Sequence, residues 1–181
     1  MKIHSYIKNS SVNGPGNRFV VWSQGCSLKC PDCWNPKTHS FSNGRYISTN
    51  YLLTMIQNET KIEGITISGG EPFDQPKELY EITKLIREET KLSQIVYSGY
   101  TINEIQKQGE MNIVLSNIDV LIDGRFNSSK ISKNGSKGSV NQKHHFLTNR
   151  YSIYDFQGQN GLEYHFGIDG SISITGFPIG I

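Results

Sequence analysis

Three cysteines, Cys26, Cys30 and Cys33, stand close together, and they are the only cysteines in the chain. A short loop with this spacing can aim three thiolates at one centre, as an iron-sulfur cluster or a metal ion requires. A cubane cluster has four irons, so three cysteine ligands leave one iron open to another ligand. Disulfides are not expected, because such short loops would be strained and three cysteines cannot all pair.

A zinc site is the alternative interpretation of the same cysteines. Three thiolates and a nearby histidine, His39, would complete a tetrahedral zinc site with no vacant position. Zinc sites usually space their ligands as short cysteine pairs, however, and not as this triplet. Gly25 and Pro31 suit a loop folded around a cluster, since glycine adopts unusual dihedral angles and backbone amides can donate to sulfur. The residues favour a cluster and leave zinc open.

Three further motifs carry glycine or charged residues and follow predicted strands. They are Gly69-Gly70-Glu71-Pro72, Ser98-Gly99 and Asp123-Gly124-Arg125. Paired glycines let the backbone approach a ligand closely, so a larger side chain at Gly70 is expected to weaken ligand binding while sparing the cysteine loop. Asp123 and Arg125 lie two apart in an extended segment and should project to one side, with a surface ion pair as the alternative role.

Alternating strands and helices over the first two thirds of the chain would position these motifs. Periodicity predicts strands over 18–23, 62–68, 95–98 and 120–123, and helices from residue 48 and over 76–89 and 102–108. This order indicates a parallel sheet, either doubly wound or forming all or part of a barrel. Ligands gather at the carboxyl ends of such strands, so the cysteine loop and the three motifs should share one rim.

The last third of the chain differs in composition. Between residues 124 and 154 there are cations but no acidic residues, which predicts a flexible basic segment. The cations are Arg125, Lys130, Lys133, Lys137, Lys143 and Arg150. His144 and His145 have no cysteine or acid nearby; such pairs are more often surface residues than metal ligands, and these two are left unassigned. Strand-like runs at 163–168 and 171–175 around Asp169-Gly170 predict a small antiparallel hairpin.

The composition limits the possible classes of protein. A chain of 181 residues with 35% hydrophobic and 19% charged residues is expected to form one globular domain. A net charge of +2 is too small to indicate a nucleic-acid partner. The first ten residues are polar, and no later apolar run is long enough to span a bilayer. We therefore expect a cytoplasmic protein without a membrane or nucleic-acid partner.

The cysteine loop carries a resemblance to a known family. Residues 13–16, Asn-Gly-Pro-Gly, and residues 25–35, GCSLKCPDCWN, resemble the radical S-adenosylmethionine activases of glycyl radical enzymes. Cys33-Trp34-Asn35 is similar to the Cys-Tyr-Asn of the activating proteins of anaerobic ribonucleotide reductase. Most of the superfamily carries an aromatic residue just before the third cysteine, where this chain has Asp32, and that departure is shared within this branch.

Three later segments extend the resemblance, which covers roughly residues 12–142. Residues 96–101, 121–126 and 137–142 are similar to the branch's Trp-Thr-Gly-Tyr-Thr, Val-Asp-Gly-Lys/Arg-Phe and Arg-Gly-Ser-x-Asn-Gln. The resemblance implies a partial parallel (β/α) barrel of the radical S-adenosylmethionine type with a small antiparallel C-terminal hairpin. We expect one domain over 1–181, with a core at about 12–126, a basic loop at 127–143 and a C-terminal appendage at 144–181.

The resemblance also implies two cofactors. Cys26, Cys30 and Cys33 would hold a 4Fe-4S cluster whose open iron is chelated by the amino and carboxylate groups of S-adenosylmethionine. The turn at residues 69–72 would hydrogen-bond the cofactor's amino group, with Glu71 as a suitable neighbour for a cation. The residues expected to bind the cofactor are Asp32, Trp34, Gly69, Gly70, Glu71, Pro72, Ser98, Gly99, Asp123 and Arg125.

The implied activity is reductive cleavage of S-adenosylmethionine to a 5′-deoxyadenosyl radical that takes hydrogen from a glycine of a larger enzyme. The implied partners are anaerobic ribonucleotide reductase as protein substrate and a flavodoxin-type electron donor. A related small radical enzyme acting on another protein, peptide or metabolite is the first alternative, because the extension after about residue 150 exceeds what the motifs require. A zinc-binding interaction module is the alternative from another class.

Overall fold

The computed structural model describes residues 1–133, 135–158, 161–167, 170 and 172–177. Within these residues seven strands form one sheet and two more form a separate hairpin. The sheet strands are β1 (Lys2–Ser10), β2 (Arg18–Ser23), β3 (Arg45–Tyr46), β4 (Gly64–Gly69), β5 (Ser93–Tyr97), β6 (Val120–Asp123) and β7 (Lys143–Phe146). The hairpin strands are β8 (Gly161–Phe166) and β9 (Ile172–Phe177). The helices are α1 (Thr49–Gln57), α2 (Pro76–Glu89), α3 (Ile102–Gln106) and α4 (Gly109–Asn112).

The sheet has the strand order β3-β1-β2-β4-β5-β6-β7. Its four central strands, β2, β4, β5 and β6, pair in parallel, and β1, β3 and β7 add antiparallel edges. Helices connect the parallel strands, as crossovers between parallel neighbours require. The predicted α/β class, with its largely parallel sheet and antiparallel C-terminal hairpin, is confirmed.

The helices cover one face of the sheet. Alternate strand residues such as Phe19, Ile65 and Leu121 pack with Leu52 of α1 and Ile82 of α2 in one buried cluster. The opposite face carries a second, smaller cluster of Ile95, Val120, Ile122 and Phe156. With helices on one face only, the sheet is the wall of a partial barrel, and its inner face is left for the site.

Arg18 closes the inner face at the end opposite the strands' carboxyl termini. Its side chain is fully buried and donates hydrogen bonds to Thr66 Oγ1 at 2.7 Å, Ile65 O at 2.7 Å and Pro15 O at 2.9 Å. Burial lowers the pKa of Arg18, and the ring of neutral acceptors compensates for lost hydration. The site must therefore lie at the other end of the barrel.

Most predicted elements appear with small shifts at their ends. Helix α2 and strand β6 have the predicted bounds, and Ser48 caps α1 by accepting a hydrogen bond from the backbone N–H of Tyr51. Strands β4 and β5 lie within a few residues of their predicted positions. The predicted hairpin is confirmed for β8 and β9, but residues 168, 169 and 171 of its turn lie outside the described residues.

Three strands of the main sheet were not predicted, and one of them is the two-residue β3. Strand β1 falls in the N-terminal segment that looked merely polar, because register shifts after Ile3 and Ile7 break the alternation that marks a strand. Strand β7 falls across the predicted boundary between the basic loop and the C-terminal appendage. No helix in the described part of the chain is long and apolar enough to cross a membrane.

Candidate functional site

The cysteine loop leaves the carboxyl end of β2 and is anchored at its base. Gly25 N donates to Thr38 O at 2.8 Å, and Cys26 N donates to His39 O at 3.1 Å. Gly25 has a φ of 102°, which suits glycine and turns the chain sharply out of the strand. Lys29 also has a positive φ, so the loop is tightly coiled between its cysteines.

Backbone amides of the loop point at the thiols. The amide of Asn35 donates to Cys33 Sγ at 3.4 Å, and the amides of Leu28 and Lys29 donate to Cys26. Burial raises the pKa of Cys26 and Cys33, while these amide donors act in the opposite direction by favouring thiolates. Cluster sulfurs and their thiolate ligands accept such amides, so the loop fits an iron-sulfur cluster.

All three cysteines line a cavity of about 760 Å³ at the carboxyl ends of the parallel strands. Within the described residues, no three His, Cys, Asp or Glu side chains are gathered closely enough to hold a single metal ion. His39 lines the same cavity without joining such a group. A tetrahedral zinc ion gathers its ligands at one centre, whereas a cubane binds each thiolate at a different iron.

The two-glycine turn packs directly against the cysteine loop. Gly70 N donates to Ser23 O at 2.9 Å, and Glu71 N donates to Gly25 O at 2.8 Å. A Cβ at Gly70 would overlap the carbonyl oxygen of Gly25, and Gly69 has a φ of 103°. The expectation that a larger residue at Gly70 spares the cysteine loop is therefore wrong, because the residue it displaces directly precedes Cys26.

The Glu71 carboxylate is buried and engaged by protein donors. Its Oε1 accepts from Phe73 N at 3.0 Å and Ser98 Oγ at 2.9 Å, and its Oε2 accepts from Gly99 N at 2.7 Å. Burial raises the pKa of Glu71 to about 7 despite these bonds. The carboxylate therefore holds the turn after β4 to the turn after β5, in addition to lining the cavity.

A second carboxylate, Asp74, ties the same turn to the cysteine loop. Asp74 accepts from the amide of Ser27 at 2.6 Å and from Tyr100 Oη at 3.1 Å. Neither Asp74 nor Tyr100 was predicted as a site residue, because a contact between these separate loops leaves no spacing signal in the sequence. Together with Glu71 they join three loops around the cavity.

Asp123 and Arg125 do not act together as predicted. Asp123 Oδ2 accepts from Ile102 N at 2.6 Å at the start of α3 and lies 3.0 Å from His145 Nε2 without hydrogen-bond geometry. Arg125 instead pairs with Glu104 through two contacts of 3.0 Å, which lower the pKa of Glu104 to about 2. Arg125 thus forms its ion pair with Glu104 and not with Asp123, and neither Asp123 nor Arg125 lines the cavity.

The remaining predicted residues divide between the cavity and its surroundings. Trp34, Ser98 and Gly99 line the cavity, as do the glycines at 69 and 70. Asp32 points outward and accepts from Ser128 Oγ at 2.9 Å, which links the cysteine loop to the basic segment. Pro72 is buried at the start of a short 3-10 turn behind the cavity. Asp32 and Pro72 thus support the site from outside.

The basic segment is more structured than predicted. Gln142 accepts from the amides of Gly138 and Ser139 and donates to Gly124 O at 2.9 Å. Gly138 and Gln142 both line the cavity. These bonds, and the pairing of β7 with β6, fold the described part of the segment back onto the sheet.

The adjacent histidines, which were left without a role, are both partly buried. His144 stacks against Phe146 and Phe156, with ring centroids 6.1 Å and 4.8 Å away, and accordingly it is part of the packed inner face. Burial, followed by the charge of Lys137, lowers the pKa of His144 to about 4. His145 is half-buried beside Asp123. Because adjacent residues of a strand point to opposite faces, His144 lies on the inner face with Ile122 and His145 lies on the helix-covered face with Leu121.

The C-terminal hairpin borders the same cavity. Phe177 of β9 lies 6.4 Å from the ring of Trp34 and 6.1 Å from that of Tyr97. Thr175 Oγ1 accepts from Asn13 Nδ2 at 2.9 Å, so the hairpin is tied to the loop after β1. The cavity therefore has the cysteine loop and glycine turn on one side and the hairpin on another.

Comparison with known proteins gives the class of this thiol-lined site. Residues 12–145 match the family described as 4Fe-4S single cluster domain, so the protein is of the iron-sulfur class. The chain is 35% identical over 156 residues to the anaerobic ribonucleoside-triphosphate reductase-activating protein of Escherichia coli (strain K12), covering 81% of this chain and 99% of that protein.

Two further relatives identify the family within the iron-sulfur proteins. The protein of the same name from Enterobacteria phage T4 is 34% identical over 138 residues, covering 73% of this chain and 85% of that protein. The pyruvate formate-lyase-activating enzyme of Clostridium pasteurianum is 36% identical over 104 residues, covering 55% of this chain and 44% of that protein. The chain belongs to the radical S-adenosylmethionine activases of glycyl radical enzymes.

Proposed function

We propose that this protein activates an anaerobic ribonucleoside-triphosphate reductase by generating a glycyl radical on it. The observation that carries the proposal is one cavity that brings the three thiols of the cysteine loop against the two-glycine turn after β4. The named activity of the relatives from Escherichia coli and phage T4 supports the choice of protein substrate. The pyruvate formate-lyase-activating relative supports the wider class of glycyl radical substrates.

Cys26, Cys30 and Cys33 are proposed as the three ligands of the cluster. They fit it chemically, because soft thiolates are the usual ligands of iron-sulfur clusters and amides already point at two of the sulfurs. A bound cluster would supply the electron for the reductive cleavage of S-adenosylmethionine, the chemistry by which a hydrogen atom would be removed from the substrate glycine. Three protein ligands leave one iron for the cofactor.

The glycine turn is proposed to hold the amino group of the cofactor. Gly69 and Gly70 present bare backbone to the cavity, and Ser98 and Gly99 stand on the adjoining turn. Glu71 positions the two turns by its three hydrogen bonds. Trp34 and Phe126, whose rings lie 5.1 Å apart, supply apolar surface at the other side of the cavity. These walls limit the access of water to a reactive intermediate.

Asp123 and Arg125 are assigned indirect roles in this proposal. Asp123 positions α3 by accepting from its first backbone amide. Arg125 holds Glu104 and covers the ring of Tyr100 at 5.7 Å. Both residues therefore support the rim and need not touch the cofactor.

Two further points complete the proposal. A flavodoxin-type protein is the proposed electron donor, because the cluster must be reduced by one electron before each cleavage. The three cysteines are free thiols, which suits a reducing compartment, and we place the protein in the cytoplasm.

Anaerobic reconstitution tests the proposal directly. The protein is loaded with iron and sulfide, its metal content is measured, and S-adenosylmethionine cleavage is followed with a chemical reductant. We expect about four irons per chain, no stoichiometric zinc, and a glycyl radical signal when the reductase is added. One bound zinc in a colourless protein, or cluster binding without cofactor cleavage, would contradict the proposal.

A further inference from the structure

The outer edge of β1 is open over most of its length. Strand β3 pairs only with Lys2 and Ile3, so residues 4–9 have no strand partner on that edge among the described residues. Strand β2 occupies the other edge of β1. An open edge presents unpaired N–H and C=O groups and accepts an additional strand readily. The open part is six residues, or about 20 Å of extended chain.

A groove of about 820 Å³ runs beside this open edge. Residues 4–9 of β1, with Gly44 and Arg45, form one side of it. The end of the hairpin forms the other side, with His165, Phe166, Gly167 and Ser173. The groove shares residues 4–7 and Ser173 with the thiol-lined cavity. The groove and the cavity are therefore neighbours along β1.

The groove leads to the cysteine loop. In the β1–β2 pairing, Ser10 lies opposite Arg18 at the far end and Ile3 lies opposite Ser23 at the rim. At the rim His4 Nδ1 lies 3.0 Å from Gln24 Oε1, two residues before Cys26. A strand added along residues 4–9 would run toward the rim and leave the edge where β3 pairs with Lys2 and Ile3. At that point it would meet the part of the cavity that residues 4–7 line.

The charges along the groove are positive. Lys8 and Arg45 line it, and no Asp or Glu appears among its described lining residues. Lys8 pairs with Glu59 at 2.8 Å. The guanidinium of Arg45 lies over the ring of Tyr6 at 5.3 Å, and none of the ion pairs in the described part of the chain includes it. Arg45 is therefore positioned for a carboxylate from outside.

We propose that this groove binds the protein substrate, which adds an extended segment as a new strand on the open edge of β1 and places an acidic side chain on Arg45. The segment continues into the cavity, where its glycine meets the cofactor. This inference rests on the proposed function and adds to it the mode of recognition. Main-chain hydrogen bonds suit the recognition of a segment around glycine, because glycine has no side chain that the enzyme could bind.

Hydrogen exchange of the reconstituted protein tests the added strand. Among the amides of residues 4–9, we expect those that point away from β2 to exchange about tenfold more slowly when the reductase is present, because only these would bond to an added strand. The amides of α1, which lies on the other side of the sheet, should not change. Unchanged exchange at residues 4–9 in a saturated complex would overturn the proposal.

Charge reversal at Arg45 tests the acidic contact. We expect Arg45→Glu to raise the KM for the reductase about tenfold, because like charges then face each other, and to leave kcat within about twofold. Lys61→Glu is the matched control, since Lys61 is exposed and lies outside the groove. It should retain the KM of the original protein.

The outcomes separate this inference from the proposed function. If the original protein cleaves S-adenosylmethionine and activates the reductase while Arg45→Glu does so with the same KM, the groove proposal fails and the function stands. If the original protein forms no glycyl radical, the proposed function fails. If sedimentation shows that Arg45→Glu changes the oligomeric state while the KM for the reductase stays the same, the edge pairs two copies of this chain. The proposal is then overturned.

Discussion

The rim of the parallel strands and the open edge of β1 meet at one cavity but are built differently. At the rim, the turns that directly follow β2, β4 and β5 are joined by the carboxylates of Asp74 and Glu71, of which Glu71 is 1% exposed. At the edge, β1 faces the hairpin across a groove. The rim is thus rigidly preorganised for a cofactor, whereas the edge leaves room for a macromolecule.

The largest effect is expected from removing a thiolate at the rim. Cys30→Ala should abolish the brown absorbance of the cluster and the cleavage of S-adenosylmethionine. Its free energy of unfolding before reconstitution should change by less than about 1 kcal/mol, because the side chain is only half-buried. Lys29→Ala, which shortens an exposed side chain of the same loop, should keep the cluster. Retained cleavage in Cys30→Ala would remove it from the ligand set.

The next effect concerns the close approach of the glycine turn to the cysteine loop. Gly70→Ala should lower the free energy of unfolding by about 1–3 kcal/mol and reduce iron uptake, because the new methyl group overlaps the Gly25 carbonyl. Gly109→Ala is the matched control, since a Cβ there has no neighbour within 4 Å. Urea unfolding and iron analysis of both variants check this. If Gly70→Ala and Gly109→Ala had the same stability and iron content, the rim would have room for a methyl group at Gly70.

A pH effect should distinguish the buried carboxylate of the rim. The pKa of Glu71 is about 7 in the folded protein and is raised by burial, so the folded state holds a proton that the unfolded state releases at lower pH. The free energy of unfolding should therefore fall by roughly 3 kcal/mol between pH 4.5 and 7 through this group alone. Glu71→Gln should lack that decrease. Parallel pH profiles of the two proteins would contradict the assignment.

The smallest effect is expected at the hairpin. Thr175→Val removes the bond to Asn13 and should lower the free energy of unfolding by about 1 kcal/mol. Limited proteolysis of the segment after residue 158 should become faster. Thr54→Val, which removes a hydroxyl from the exposed face of α1, is the control and should leave proteolysis unchanged. If Thr175→Val lowered the free energy of unfolding more than Gly70→Ala does, the hairpin contact would matter more for stability than the packing of the rim.

The same contrast explains what could be predicted from the sequence. Helix α2 and strand β6 were predicted to their end residues because their apolar periodicity is local and regular. The cysteine loop and the glycine turn were predicted to share a rim because parallel strands end together, and the cavity contains both.

The features that could not be predicted depend on contacts between residues far apart in the sequence. Strand β1 was missed because its register shifts disturb the alternation of side chains. The bond of Glu71 to Ser98 joins two separate strand ends, and that of Asp74 to Tyr100 joins two loops. The groove depends on where the hairpin lies relative to β1. None of these pairings has a spacing that could be recognised before the fold was known.

The central claim is that three thiolates hold a cluster with one iron available to a ligand seated by the glycine turn. Electron paramagnetic resonance of the reduced, reconstituted protein, recorded with and without S-adenosylmethionine, tests it most directly. The account predicts a cluster signal whose shape changes when the cofactor is added and which is absent from Cys30→Ala. An identical signal in the presence of saturating cofactor would contradict it.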